Sequence, residues 1–158
     1  MKDPQDLELN DSAGLRRFSR SLPMALLRAR ESVMGRFRPN LRENNLTDQQ
    51  WRVLRALFEY GKKDLGELSN MCCLLKPSIT RIIRSMEKRL LLEKLLDPQD
   101  HRRTIVSITA NGRDLIHKVG PNSELIYQDM ALMLGSNELD DLYKKLDILI
   151  AKLDKNCK

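Results

Sequence analysis

Between residues 76 and 89 the chain reads KPSITRIIRSMEKR, and its cations and hydroxyls are spaced for chemistry. Arg81, Arg84 and Lys88 recur at intervals of three and four, flanked by Ser78, Thr80 and Ser85, with Lys76 and Pro77 opening the stretch. Guanidinium groups form bidentate hydrogen bonds with paired acceptors such as a guanine edge, while an ammonium or hydroxyl adds a single bond. Ile79, Ile82, Ile83 and Met86 alternate with them. At about 100° per residue the apolar four share one side of a helix, and Pro77, Arg81, Arg84 and Lys88 take the other. One face is built for packing and the opposite face for acceptors. A merely solvated amphipathic helix is the bland alternative.

A second set of cations lies upstream. Residues 16–42 hold eight arginines, no lysine and one acid, Glu31. Arg30 falls on an apolar stripe formed by Leu26, Val33, Phe37 and Leu41, joined by Met34. A guanidinium there is expected to be partly buried, and burial demands a partner. Two kinds fit: an anionic ligand whose ring rests on Met34, Phe37 or Trp51, or a carboxylate such as Glu31, Glu43 or one from a second copy of the chain. Arg16, Arg17 and Arg20, beside Leu15 and Phe18, form an arm that could close over a pocket or touch a polyanion.

Several elements must position these groups. The spacing predicts a helix from about Leu22 to Asn44, bent or ended near Pro39. LTDQQWRVLRALFEYG predicts a second helix with Thr47 and Gln50 as a capping box and Gly61 as its stop. DLGELSNM predicts a third, capped by Asp64, with Leu65, Leu68 and Met71 inward. The KPSITRIIRSMEKR helix follows, with Pro77 near its first turn. Residues 91–96 and 104–108 are β-capable runs around a polar DPQDHRR turn, which predicts a hairpin. Thr109 is the expected cap of the next helix, which Gly120-Pro121 is expected to break or kink. Ser136 is the expected cap of a last helix whose Leu139, Leu142, Leu146, Leu149 and Leu153 follow a 3-4-3-4 spacing, a seam for a partner helix.

Three helices, with the third and fourth of the chain joined by a tight turn, and then a two-stranded hairpin make a winged helix-turn-helix. The predicted class is mainly α with a small β-hairpin, with N- and C-terminal dimerisation helices around it. The expected divisions are a flexible arm at 1–21, a dimerisation helix at 22–45, the winged domain at 46–108 and dimerisation helices at 109–158. The fourth helix would lie in the major groove of double-stranded DNA. The hairpin tip, with His101, Arg102 and Arg103, would reach a narrow minor groove or its phosphates.

Composition narrows the remaining classes. The 158 residues are 41% hydrophobic but only 4% aromatic, which suits aliphatic helix packing. The net charge of +6 gathers in two islands, residues 16–42 and 75–103, in an otherwise balanced chain. No apolar run approaches the roughly 18 residues of a membrane helix, and MKDPQDLELND lacks the pattern of a signal peptide. A cytoplasmic location, with no membrane partner, is expected. Cys72, Cys73 and Cys157 do not make a disulfide framework. Cys72 and Cys73 read as small buried hydrophobes, with a redox-sensing thiolate as the alternative. His101 and His117 are too few for a His-rich metal site, and no phosphate loop or nucleophile elbow occurs. Neither a cofactor nor an enzyme is expected.

The chain resembles the multiple-antibiotic-resistance regulator (MarR) family of dimeric bacterial repressors over roughly residues 22–155. The most specific part is DPQDHRRTIVSITANG, similar to the family's wing. That match implies Asp100 and Arg102 as a wing pair, with Asp100 orienting Arg102 toward DNA. ARESVMGRFRP and LTDQQWRVLR resemble a subgroup that represses the catabolism of aromatic acids such as homoprotocatechuate and hydroxycinnamate. The resemblance implies a triangular homodimer on a pseudo-palindromic operator, released by a small phenolic or aromatic carboxylate. A redox-sensing repressor using Cys72 and Cys73, or a regulator without a small-molecule effector, stands as the alternative.

Overall fold

The structure is a computed structural model that describes residues 9–10, 14–98, 100 and 103–154. Two-residue strands β1 (Leu9–Asn10) and β2 (Leu15–Arg16) pair antiparallel ahead of a 3-10 turn, Phe18–Arg20. Helix α1 (Leu22–Glu43) follows, with Pro39 in its last turns. Helix α2 (Asp48–Tyr60) has both bonds of the Thr47–Gln50 capping box and ends at Gly61, whose φ of 73° suits glycine.

A strand that periodicity could not show, β3 (Lys63–Asp64), comes next. Asp64 then caps helix α3 (Leu65–Met71), and Glu67 completes a second capping box. Leu68 is buried as expected, but Met71, at the helix end, is exposed. Helix α4 (Lys76–Lys88) buries Ile79, Ile82, Ile83 and Met86 on one face. Strands β4 (Leu92–Leu96) and β5 (Thr104–Ile108) form the hairpin in register Leu92 to Ile108 and Leu96 to Thr104. The sheet order is β3-β5-β4, so β3 ties the hairpin to the start of α3.

Helix α5 (Ala110–Leu134) starts from Thr109, whose Oγ1 accepts from Gly112 N at 3.1 Å. Gly112 has to be glycine, because a Cβ there would lie 2.3 Å from the Leu91 carbonyl oxygen. Of the break or kink expected at Gly120-Pro121, the break does not occur: α5 is continuous through both residues. Proline withholds one N–H, but the flanking turn is clamped from outside. Asn40 of α1 donates from Nδ2 to the Val119 carbonyl at 3.2 Å and lies 3.5 Å from Ser123 Oγ. Ser123 Oγ donates to the same carbonyl at 3.2 Å, and Asn122 Nδ2 reaches Asn40 Oδ1 at 3.4 Å. Tertiary bonding overrides the local breaker. Helix α6 (Ser136–Asp154) begins at Ser136, a first residue rather than a preceding cap, since Gly135 occupies the junction.

The core joins Val53, Leu54 and Leu57 of α2 to Leu68, Ile79, Ile83, Met86, Leu92, Val106 and Val119. Helix α1 contributes only Phe37 and Leu41 to it, and α6 has no buried residue. No helix among the described residues is long and apolar enough to cross a membrane.

Candidate nucleic-acid interface and ligand cavity

Because the isoleucine face of α4 is consumed by the core, its other face is left outward. Lys76, Pro77, Thr80, Arg81, Arg84, Ser85 and Lys88 are all exposed, and Ser78 is half-buried. Thr80 Oγ1 donates back to the Lys76 carbonyl at 3.0 Å. The row of Arg81, Arg84 and Lys88 thus spans two turns of one exposed face, the geometry of a helix that can enter a groove.

The hairpin tip is less as expected. His101 and Arg102 lie outside the described residues. Asp100 is exposed, and its carbonyl accepts from Arg103 N at 2.9 Å. Arg103 does not point freely outward: its guanidinium forms an ion pair with Asp64 and lies 3.9 Å from Asp97. The backbone N–H of Glu67, and next the Arg103 guanidinium, hold the Asp64 carboxyl below the usual carboxylate range. Arg103 therefore braces the wing against α3.

A cavity of about 310 Å³ opens between α1, α2 and α5, lined by Arg30, Met34, Asp48, Trp51, Arg52, Arg55 and Tyr127. Three of the expected ligand residues, Arg30, Met34 and Trp51, come together here. Phe37 is buried behind the lining, its ring 4.9 Å from that of Tyr127. Arg16, Arg17 and Arg20 are exposed and contribute nothing to the lining.

Arg30 is not the partly buried arginine that the stripe predicted. Its side chain is 43% exposed, bonded to Glu31 at 2.7 Å and 3.9 Å from Asp48. The reason is that α1 buries its apolar face only near its C-terminal end. Arg38 is held by two carboxylates, bridging Glu31 at 2.7 Å and Asp48 at 3.0 Å. Of the two partners foreseen for Arg30, the internal acid is present.

Sequence reasoning missed Asp48, Arg52, Arg55 and Tyr127. Asp48, Trp51, Arg52 and Arg55 stand at i, i+3, i+4 and i+7, one side of α2, so their clustering was readable. Tyr127 comes from a distant helix and carried no signal. Among the described residues Arg52 and Arg55 have no carboxylate partner. Arg55 lies 5.9 Å from the Trp51 ring centroid, and Arg52 Nη1 donates to the Cys72 carbonyl at 2.5 Å. Burial pushes the Tyr127 phenol up, so it remains a donor at neutral pH. Two incompletely neutralised guanidiniums, a phenol and an indole complement an aromatic acid. A second cavity of about 400 Å³, on the far side of Trp51 and Arg55, is lined by Phe58, His117, Pro121 and others.

Cys72 is 1% exposed, and burial pushes its thiol up, away from a reactive thiolate. Cys73 is exposed, with a left-handed φ of 49°. The described residues hold no metal-binding cluster of His, Cys, Asp and Glu.

The chain is similar to known proteins. The model of the MarR family matches residues 46–104. The HTH-type transcriptional regulator FarR of Neisseria gonorrhoeae is 37% identical, over 85% of this chain and 91% of that protein. The homoprotocatechuate degradative operon repressor of Escherichia coli is 35% identical, over 83% and 88% respectively. Among solved structures, NadR in complex with 4-hydroxyphenylacetate superposes with a TM-score of 0.74 at 36% identity, covering 85% of this chain and 95% of NadR.

Proposed function

Because the chain belongs to the MarR family, we propose that it is a transcriptional repressor that leaves its operator when a phenolic or aromatic carboxylic acid enters the α1–α2–α5 cavity. The observation that carries this is the lining itself. Arg52 and Arg55 offer forks for a carboxylate, Trp51 and Met34 a slot for a ring, and Tyr127 a donor. A relative that represses a homoprotocatechuate operon and a neighbour that holds 4-hydroxyphenylacetate support the class of ligand.

The DNA-facing residues in this reading are Lys76, Pro77, Ser78, Thr80, Arg81, Arg84, Ser85 and Lys88 of α4, with the wing at residues 97–103 alongside. Arg81 and Arg84 read base edges, Lys88 contacts a phosphate, and Arg103 positions the wing. The operating unit is a homodimer, working in the cytoplasm on a pseudo-palindromic site. Its terminal helices support this. Leu22, Leu26 and Leu27 of α1, Leu132 and Met133 of α5, and Leu142, Ile150 and Leu153 of α6 are exposed in the single chain. Leu139, Leu146 and Leu149 are half-buried, so the seam is only partly used within one chain. On this reading residues 46–108 carry the DNA-binding unit, and 22–45 and 109–158 carry the dimerisation helices.

Thermal melting of the free protein with 4-hydroxyphenylacetate and with its carboxamide tests the proposal. The acid should raise the melting temperature and weaken binding to DNA from the protein's own promoter. The amide, lacking the charge-assisted pair, should do neither at the same concentration. Equal effects of acid and amide would remove the arginines from the site.

A further inference from the structure

Arg52 belongs to two places at once. It lines the cavity, and its Nη1 donates to the carbonyl of Cys72 at 2.5 Å. Cys72 is the C-cap of α3, the residue at which the turn into α4 begins. Helix α3 leaves its last carbonyls without intrahelical partners, as any helix does. Among the described residues, the group that satisfies the Cys72 carbonyl is the Arg52 guanidinium.

The turn that follows is under strain. Cys73, a residue with a Cβ, has a φ of 49°, a conformation costly outside glycine. Such residues persist only where the surroundings over-determine them. Two side chains do so here: Ser69 Oγ donates to the Leu74 carbonyl at 2.5 Å, and Arg52 holds Cys72. The next residue, Leu75, is the N-cap of α4. The placement of α4 therefore depends in part on where the Arg52 guanidinium points.

We propose that Arg52 is the positioning residue that relays occupation of the cavity to the DNA-facing helix, a reading that rests on the acid-induced release proposed above. In the free protein the guanidinium bonds a neutral carbonyl. A carboxylate in the cavity competes for it, because a bidentate ion pair adds a full opposite charge and a second hydrogen bond that the single neutral carbonyl lacks. Drawing Arg52 toward the ligand leaves the buried Cys72 carbonyl without its donor, so the strained turn loses one of two restraints. The ligand thereby has the differential affinity for two states that release from DNA requires.

Arg52→Met keeps much of the stem and removes the donor. Operator affinity of this variant without ligand should fall. The residual affinity should change less than twofold with saturating 4-hydroxyphenylacetate, while the acid still raises its melting temperature through Arg30 and Arg55. Cys73→Gly provides a second arm that leaves the cavity intact, because glycine accepts the left-handed φ without cost. Its operator affinity should respond to the acid several-fold less than the wild type's, and Arg52→Met/Cys73→Gly should regain operator affinity over Arg52→Met alone. Arg52→Met responding by the same factor as the wild type overturns the relay. So does Arg52→Met losing the melting response entirely, which makes Arg52 an anchor only. An Arg52→Met chain that does not fold leaves the decision to Cys73→Gly, and an undiminished response there overturns the relay. A wild type that ignores the acid in both assays sinks the proposed function instead.

Discussion

Arg103, at the base of the wing, forms an ion pair with Asp64, the residue that caps α3. Hairpin and helix-turn-helix are thereby fastened to each other by one carboxylate with two duties. Asn caps a helix nearly as well as Asp but offers no charge, so Asp64→Asn isolates the pair. Arg103 is half exposed, so solvent screening should keep the loss of stability small.

Its pH dependence has a definite sign. The folded Asp64 pKa is lowered, so its contribution is complete above the unfolded value near ~4 and is lost as pH falls through the lower folded value. Acid titration of chemical stability should therefore be flatter below about pH 4 in Asp64→Asn than in the wild type.

Arg84→Ala should weaken specific DNA binding by ~1–3 kcal/mol and relax one base position. Lys88→Ala should weaken specific and non-specific DNA alike and lower the salt slope by about one. Fluorescence anisotropy with operator and scrambled duplexes over a salt series reads both. Wild-type affinity in both variants would take α4 out of the groove.

Leu142→Glu with Leu153→Glu should yield folded monomers. Both side chains are more than 45% exposed in the single chain, at 47% and 55%, so a charge there strains only contact with a second copy. Sedimentation checks the mass and circular dichroism the fold. A persistent dimer would place the interface elsewhere.

Gly112→Ala should destabilise by ~1–3 kcal/mol, the usual cost of overpacking, because its Cβ meets the Leu91 backbone. Gly120→Ala should stabilise by about 1 kcal/mol, since nothing lies within 4 Å of that Cβ and alanine favours helix. Urea unfolding of the two variants gives opposite shifts in midpoint.

The sequence showed most clearly what is local. Ile79, Ile82, Ile83 and Met86 declared their helix face through spacing, and the Thr47 and Asp64 caps declared helix starts through short-range bonds. What depends on distant partners was hidden. β3 is two residues long and exists because β5 is beside it. Pro121 was expected to break or kink a helix that Asn40, 79 residues before its partner Val119, holds together. In the cavity, Arg30, Met34 and Trp51 were found from side-chain type, yet the burial of Arg30 was misjudged. A stripe along α1 says which residues share a face, not how far along the helix a partner extends. Phe37 was misplaced for the related reason that its apolar ring is taken up by packing with Tyr127.

The Asn40 clamp has a mechanical consequence. Asn40, Val119, Asn122 and Ser123 bond mutually, and Asn40, Val119 and Ser123 are buried where α1 crosses α5. Sliding α1 along α5 by one turn would strand those groups without partners, at a cost of ~1–3 kcal/mol for each. Tilting about the crossing preserves them. The clamp thus works as a fulcrum: the N-terminal length of α1, which bears Arg30 and Met34, is one arm of a lever, and α5 beyond Ser123, which bears Tyr127, is the other. Both arms border the cavity, so a change in its width is met by rotation about the clamp rather than by translation.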